Sequence, residues 1–327
     1  MVYLNQDSPY TTDPHHSKHT KMKRRNFIQK AALSTGAITM GSGLSYASTP
    51  THPKASNKFK LKYAPHLGMF EHHAGKDPID QLNFMADQGF TAFEDNKMRT
   101  RDVTLQEKMA QTMQKRGIEM GVFVAVFLKE GHVASGDLEK RKAFLAHCKE
   151  SVEVAKRVNA KWMTVVPGNL APKIKKGYQQ AHVVETLKQA SAIFEPHGLT
   201  MVLEPLNFFN HPGAFLTDSP QAYDICKAVD SPSCKILFDI YHQQIQEGNL
   251  LPNMEACWDE IAYIQMGDNP GRNEPTTGEI NYWNILKFIH EKNYNGILGM
   301  EHGNSRPGKE GEQAVIDAYK SVDSFAR

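Results

Sequence analysis

Four residues in the C-terminal half, Glu204, Asp239, Gln265 and Glu301, each close a short apolar run. The runs are Met201-Val202-Leu203, Ile236-Leu237-Phe238, Ala262-Tyr263-Ile264 and Leu298-Gly299-Met300. Three carboxylates and one amide in equivalent positions make a ligand set for a hard divalent cation. Brought together without a cation, the carboxylates would repel one another and lose their hydration. An all-oxygen shell of this kind favours a single Mg²⁺ or Mn²⁺ ion over zinc. One acidic residue at a strand end can simply cap the next helix, so the argument rests on the repetition; Gln265, being uncharged, gains least from it.

Two neighbours extend the set. Asp239-Ile240-Tyr241-His242 places an imidazole three residues beyond a ligand, and the loop after Gln265 carries Arg272 within Gly267-Asp268-Asn269-Pro270-Gly271-Arg272. Alone, His242 reads as a structural hydrogen bonder and Arg272 as a solvated loop charge. Beside the carboxylates, both suit the oxygens of a substrate, Arg272 through its planar fork. His66 and Glu94, at the ends of the first two apolar runs, are expected in the pocket wall, with His66 a further substrate contact.

Such residues meet only if the elements beneath them are arranged in register. Apolar runs of strand length recur at 61–66, 91–94, 120–126, 162–166, 200–204, 236–240, 262–266 and 297–301. Segments of helical period lie between them, at 78–88, 105–116, 138–158, 181–197, 220–229 and 282–292. Glycines at 89, 117, 198 and 296 mark helix-to-strand turns. Eight such units without a break in composition predict one α/β domain, a (β/α)₈ TIM barrel over 59–327. A doubly wound sheet would usually carry a glycine-rich phosphate loop after its first strand, and none is present.

Residues 1–58 lie outside that pattern. Lys23-Arg24-Arg25-Asn26-Phe27-Ile28 precedes a weakly apolar run, and Ser45 and Ala47 offer small residues for cleavage after Ala47. This N-terminal extension, 1–47, resembles a twin-arginine export signal and implies a periplasmic protein, with 48–58 as a linker. Met22 would begin a compact signal, so the start, Met1 or Met22, stays open. The apolar run is too short and too polar to span a bilayer stably. Of the 38 basic and 36 acidic side chains, six and two fall in 1–47, leaving the remainder with a net charge of −2. That balance gives no support for nucleic-acid binding. Cys148, Cys226, Cys234 and Cys257 show no disulfide or zinc spacing; Cys226 and Cys234 could pair, but such residues are more often small buried apolar groups.

Motifs over 201–306 resemble the hydroxypyruvate isomerase family of xylose-isomerase-like TIM barrels. They are Glu204-Pro205-Leu206-Asn207, Phe238-Asp239-Ile240-Tyr241-His242, Gln265-Met266-Gly267-Asp268-Asn269-Pro270-Gly271-Arg272, Gly278-Glu279-Ile280-Asn281-Tyr282 and Gly299-Met300-Glu301. The resemblance implies metal ligation by Glu204, Asp239, Gln265 and Glu301, with Glu204 and Glu301 as the acid–base pair. His242 and Arg272 match positions that hold substrate oxygens in related sugar epimerases. Those epimerases carry a further glutamate shortly after the first metal glutamate; this chain has Asn207-Phe208-Phe209-Asn210-His211-Pro212 instead.

The expected activity is therefore isomerisation of a small carbonyl compound or sugar, hydroxypyruvate and tartronate semialdehyde among them, by proton transfer between adjacent carbons. A sugar epimerase on the same site, a metal-dependent hydrolase or nuclease, and a non-catalytic carbohydrate-binding barrel of the envelope are the alternatives. Whether copies of the chain associate is left open.

Overall fold

The structure, a computed structural model, describes residues 59–127 and 132–325. The proposed signal over 1–47 and linker over 48–58 lie outside the described residues. Among the described residues there are nine strands: β1 (Lys62–Ala64), β2 (Ala92–Phe93), β3 (Glu119–Met120), β4 (Phe123–Val126), β5 (Trp162–Val165), β6 (Thr200–Leu203), β7 (Cys234–Asp239), β8 (Ile261–Met266) and β9 (Ile297–Met300). They occupy the eight expected runs, because β3 and β4 are one extended segment interrupted at Gly121-Val122. A Cβ at Gly121 would overlap the Tyr263 hydroxyl, which approaches the backbone there.

All pairings between strands are parallel. One ladder runs in the order β1-β9-β8-β7-β6-β5-β4, and β2 pairs with β3. The remaining gap is crossed by hydrogen bonds from Glu94 N to Pro65 O (3.1 Å) and Asp95 N to Val122 O (3.2 Å). The sheet is thus a ring, the expected barrel.

Among the described residues ten α-helices accompany it: α1 (Glu71–Ala74), α2 (Pro78–Asp87), α3 (Val103–Arg116), α4 (Leu138–Val158), α5 (Lys176–Phe194), α6 (Ser219–Val229), α7 (Ile240–Gln246), α8 (Leu250–Ala256), α9 (Tyr282–Glu291) and α10 (Gly308–Val322). Aspartates start many of them. Asp77, Asp102, Asp137 and Asp218 accept from backbone N–H groups in the first turns of α2, α3, α4 and α6. Gly117 takes up the left-handed conformation at the end of α3, where a side chain would be strained. α5 begins earlier than expected, and α1, α7, α8 and α10 were not anticipated.

A small apolar cluster, Ala64, Ala92, Val122, Val202, Leu237, Tyr263 and Ile297, is separate from the main core. Strand side chains alternate between the two faces, so residues two apart point the same way. Two positions on from these residues come His66, Glu94, Glu204, Asp239, Gln265 and, after Gly299, Glu301. The cluster is the floor of the barrel interior, and the polar residues are the next layer towards the C-terminal mouth. The larger core packs the helices against the outside of the ring, with Phe93, Phe123, Phe144, Phe194 and Phe238 fully buried. Burial of each such ring is worth roughly 2–3 kcal/mol. All four cysteines are buried and unbridged.

Candidate active site

Asp239 and Gln265 are direct partners in the β7–β8 register, and Gln265 in turn faces Gly299 on β9. Glu204 follows β6 and donates its backbone N–H to Val165 O at 3.4 Å. Glu301 follows β9. Glu204, Asp239 and Gln265 are all but inaccessible, at 5%, 1% and 1% exposure, while Glu301 keeps partial access to solvent.

Burial holds the Glu204 carboxyl well above the usual carboxylate range, and the like charges of Glu301 and Asp239 push it further. Glu301 is pushed up to about 7, again first by burial; the Arg272 guanidinium opposes the rise and Asp239 adds to it. Glu301 is thereby poised to exchange protons near neutrality.

Arg272 enters from the β8–α9 loop. Its Nη2 lies 3.2 Å from Asp239 Oδ2 and 3.0 Å from Glu301 Oε2, and its Nε donates to Glu301 O at 3.2 Å. Burial works against its charge, but Asp239, Glu301 and Glu204 outweigh it and raise its pKa further. Tyr241 stacks on the guanidinium, 4.7 Å from the ring centroid. Asp268 shapes the loop, accepting from Gly278 N (2.9 Å) and Ile280 N (3.1 Å).

Asp239 has two duties. Its Oδ1 accepts from His242 N at 3.1 Å and so caps α7, while Oδ2 faces Arg272 and, at 3.7 Å, His242 Nε2. His242 Nε2 also lies 3.8 Å from Glu204 Oε1. Glu204, Asp239 and His242 each offer an atom within 4.8 Å of the others, a spacing that a metal ion could bridge. Burial pulls the His242 pKa down to about 4, so the ring is neutral at ordinary pH.

Gln265 is held from below. Its Nε2 donates to Glu94 Oε1 at 3.3 Å, and Tyr263 OH donates to Glu94 Oε2 at 3.0 Å. Gln265 Oε1 is buried and has no hydrogen-bond partner among the described residues. An orphaned amide oxygen in a layer of carboxylates fits a cation ligand. Gly299 makes this possible, since a Cβ there would overlap Glu94 Oε2 and approach Gln265 Cγ to 2.9 Å.

A cavity of about 520 Å³ opens above these groups, lined by Glu204, Glu301, His242 and Arg272 together with Asn96, Arg99, Thr100, Val124, Phe127, Leu206 and His211. The structure thus gathers Glu204, Glu301, His242 and Arg272 on one cavity, with Asp239 and Gln265 beneath. His66 lies elsewhere. It lines a neighbouring cavity of about 460 Å³ that shares Asn96 and Glu301 with the first. Its ring nitrogens face backbone carbonyls, Leu67 O at 2.8 Å and His302 O at 3.0 Å.

Sequence reasoning missed Asn96, which donates to Glu301 Oε1 at 2.9 Å, and His211, whose ring centroid lies 5.3 Å from that of His242. It quoted Asn207 within a motif but gave it no role. Asn207 stands three positions past Glu204, as His242 does past Asp239, and that repeat was a usable signal.

Known proteins resemble this chain in sequence and in fold. The chain is 40% identical to hydroxypyruvate isomerase of Escherichia coli over 122 residues, spanning 37% of this chain and about half, 47%, of that protein. It is 26% identical to 2-oxo-tetronate isomerase of Pectobacterium atrosepticum over 230 residues, covering 68% of this chain and 86% of that one. Among solved structures, an AP endonuclease, family 2, from Brucella melitensis superimposes with a TM-score of 0.68 at 22% identity, covering 79% of this chain and 99% of that one. The 3-keto-D-glucoside 4-epimerase of Escherichia coli gives 0.66 at 19% identity, covering 81% and 100%. At those identities the structures establish the fold alone. Residues 82–322 match the family profile described as the xylose isomerase-like TIM barrel, and the chain belongs to that family.

Proposed function

We propose that this protein is a metal-dependent isomerase that moves a proton between adjacent carbons of an α-hydroxy carbonyl compound. The observation that carries the reading is the pairing of Glu204 and Glu301, both with raised pKa values, on one cavity beside Asp239 and the orphaned Gln265 Oε1. The hydroxypyruvate and 2-oxo-tetronate isomerases among its relatives support the reaction class.

Glu204, Asp239, Gln265 and Glu301 would hold one Mg²⁺ or Mn²⁺ ion. When bound, such an ion polarises a carbonyl and stabilises negative charge on the substrate oxygens. One of Glu204 and Glu301 takes the proton from carbon and the other returns it. Return to the neighbouring carbon, with the hydroxyl proton passing to the former carbonyl oxygen, interconverts aldehyde and ketone; return to the opposite face of the same carbon epimerises. Asn96 fixes the Glu301 carboxyl through Oε1. His242 and Arg272 orient the substrate oxygens.

Hydroxypyruvate, tartronate semialdehyde or a small sugar is the proposed substrate, and Arg24-Arg25 with the Ala47 cleavage position supports an exported, periplasmic location for the mature chain. The test is incubation of the Mg²⁺- or Mn²⁺-loaded protein with hydroxypyruvate, tartronate semialdehyde and free ketoses in D₂O. Deuterium uptake at the α-carbon of one class is expected. Tight sugar binding without exchange would overturn the proposal in favour of a carbohydrate-binding barrel.

A further inference from the structure

His242 is buried in the first turn of α7, and its two ring nitrogens face different surroundings. Nδ1 is met by the Asn207 backbone N at 3.2 Å and by Asn207 Nδ2 at 2.6 Å. Nε2 faces the carboxylates of Asp239 and Glu204, at 3.7 and 3.8 Å.

The neighbours decide which nitrogen carries the proton. A backbone N–H can only donate, so Nδ1 must present its lone pair to Asn207. The side-chain amide agrees, and its orientation is fixed independently. Asn207 Oδ1 accepts from the Asn210 backbone N–H at 2.9 Å, which turns the NH₂ end towards the ring. One of its hydrogens goes to Asn210 Oδ1 at 2.9 Å and the other is left for Nδ1. Asn210 Oδ1 is itself placed by Tyr241 OH, at 3.2 Å. Asn207 is fully buried, so water does not compete for these bonds.

We propose that Asn207 is a positioning residue that locks His242 in the neutral tautomer with its proton on Nε2. In that form Nε2 is a donor without a lone pair. It can neither ligate a cation nor take a proton from carbon. Although its spacing to Glu204 and Asp239 would suit a metal triad, His242 is instead an uncharged donor to a substrate oxygen beside the two carboxylates. A neutral imidazole can polarise a carbonyl in this way. An imidazolium would pair with Asp239 and Glu204 and compete with the cation for them. The functional consequence rests on the isomerase reading; the tautomer itself does not.

The experiment is long-range ¹⁵N–¹H correlation spectroscopy of the full chain labelled at histidine, with the His242 signals assigned by their loss in His242→Gln. The wild type is expected to show an unprotonated Nδ1 and a protonated Nε2, unchanged when Mg²⁺ is added. Asn207→Asp replaces the nearer of the two donors, the side-chain amide at 2.6 Å, with a carboxylate; its charge-assisted bond outweighs the longer backbone contact at 3.2 Å, and the expected result is protonation of Nδ1. A wild-type Nδ1–H, a Mg²⁺-induced change of Nε2 to a coordinated nitrogen, or a folded Asn207→Asp protein with the wild-type pattern would each overturn the proposal. The wild-type arm stands even if the variant does not fold. No substrate enters the measurement, so failure of the isomerase reading would leave its outcome unchanged.

Discussion

Arg272 Nη2 lies 3.2 Å from Asp239 Oδ2 and 3.0 Å from Glu301 Oε2, so one guanidinium spans two carboxylates proposed as cation ligands. Without an ion, Arg272 supplies the countercharge that allows these carboxylates to be buried together. It therefore competes with the cation for them. Arg272→Met is expected to destabilise the metal-free protein by about 1–3 kcal/mol, because it strands buried charge. The loss should grow with pH as Glu301 ionises. Mg²⁺ should raise the melting temperature of the variant by more than it raises that of the wild type. An equal or smaller rise, read by calorimetry, would show that the two do not compete.

Gln265→Leu separates ligation from structure. The wild-type Oε1 is buried without a hydrogen-bond partner among the described residues, so in the metal-free protein this atom contributes desolvation and no bond. The variant sheds that desolvation but also loses the Nε2 donor to Glu94 Oε1, so its metal-free stability should shift by no more than about 1–2 kcal/mol. Its divalent-ion affinity should fall about tenfold or more, the equivalent of roughly 1.4 kcal/mol. Titration calorimetry showing unchanged affinity would remove Gln265 from the ligand set.

Glu301→Gln keeps the shape of the side chain and removes its ability to carry a proton. Turnover of whichever carbonyl compound is accepted should drop by about 10²–10⁴-fold. α-Carbon deuterium exchange should fall with it. Undiminished turnover would sink the acid–base assignment.

The melting temperature should depend on pH in opposite senses with and without the ion. Glu301 has its pKa raised from 4.5 to about 7, so its contribution to metal-free stability is whole below 4.5 and is lost as pH rises through 7. His242 and His302 are lowered by burial from 6.5 to about 4 and about 3, so theirs is whole above 6.5 and is lost as pH falls towards those values. Glu204 and Glu94, also held well above the usual carboxylate range by burial, add to the loss on the alkaline side. A cation removes the decline on the alkaline side, because it needs ionised carboxylates. The Mg²⁺-induced gain in melting temperature should accordingly be larger at pH 8 than at pH 6; a flat gain would contradict the raised carboxyls.

Gly299→Ala tests the support beneath Gln265. Its Cβ would overlap Glu94 Oε2, and the overlap should cost about 1–3 kcal/mol. Shortening the carboxyl arm with Glu94→Ala should relieve part of that cost. A double-mutant cycle should then show a coupling of at least about 0.5 kcal/mol. Strict additivity in denaturant melts would mean that the two residues do not meet.

Much of this was legible in one dimension because strand periodicity is local. Each apolar run followed by an acid or amide identified both a strand and its end, and α4 falls at the expected 138–158. The short helices α1, α7 and α8 escaped because so few turns leave little periodicity to detect. α7 was further obscured because its cap, Asp239, also belongs to the strand and the site. His66 looked equivalent to the other strand-end residues, yet its ring is held by the Leu67 and His302 carbonyls. No property of residues 61–66 reveals that, since one of those partners lies 236 positions away.

The sequence by itself determined the eight-unit barrel, the layer of Glu204, Asp239, Gln265 and Glu301 at its mouth, and the membership of His242 and Arg272. The layer follows from a two-residue alternation that any parallel strand must obey, whereas His242 and Arg272 lie beyond the strands and were reached from their place beside the carboxylates and from the family resemblance. Tertiary structure alone decided how the groups are used. It placed Arg272 across Asp239 and Glu301, orphaned Gln265 Oε1 above Glu94, and turned Asn207 onto His242 Nδ1. The reason is that charge state, tautomer and hydrogen-bond satisfaction depend on which distant side chains share a buried volume, and that is settled only when the ring of strands closes.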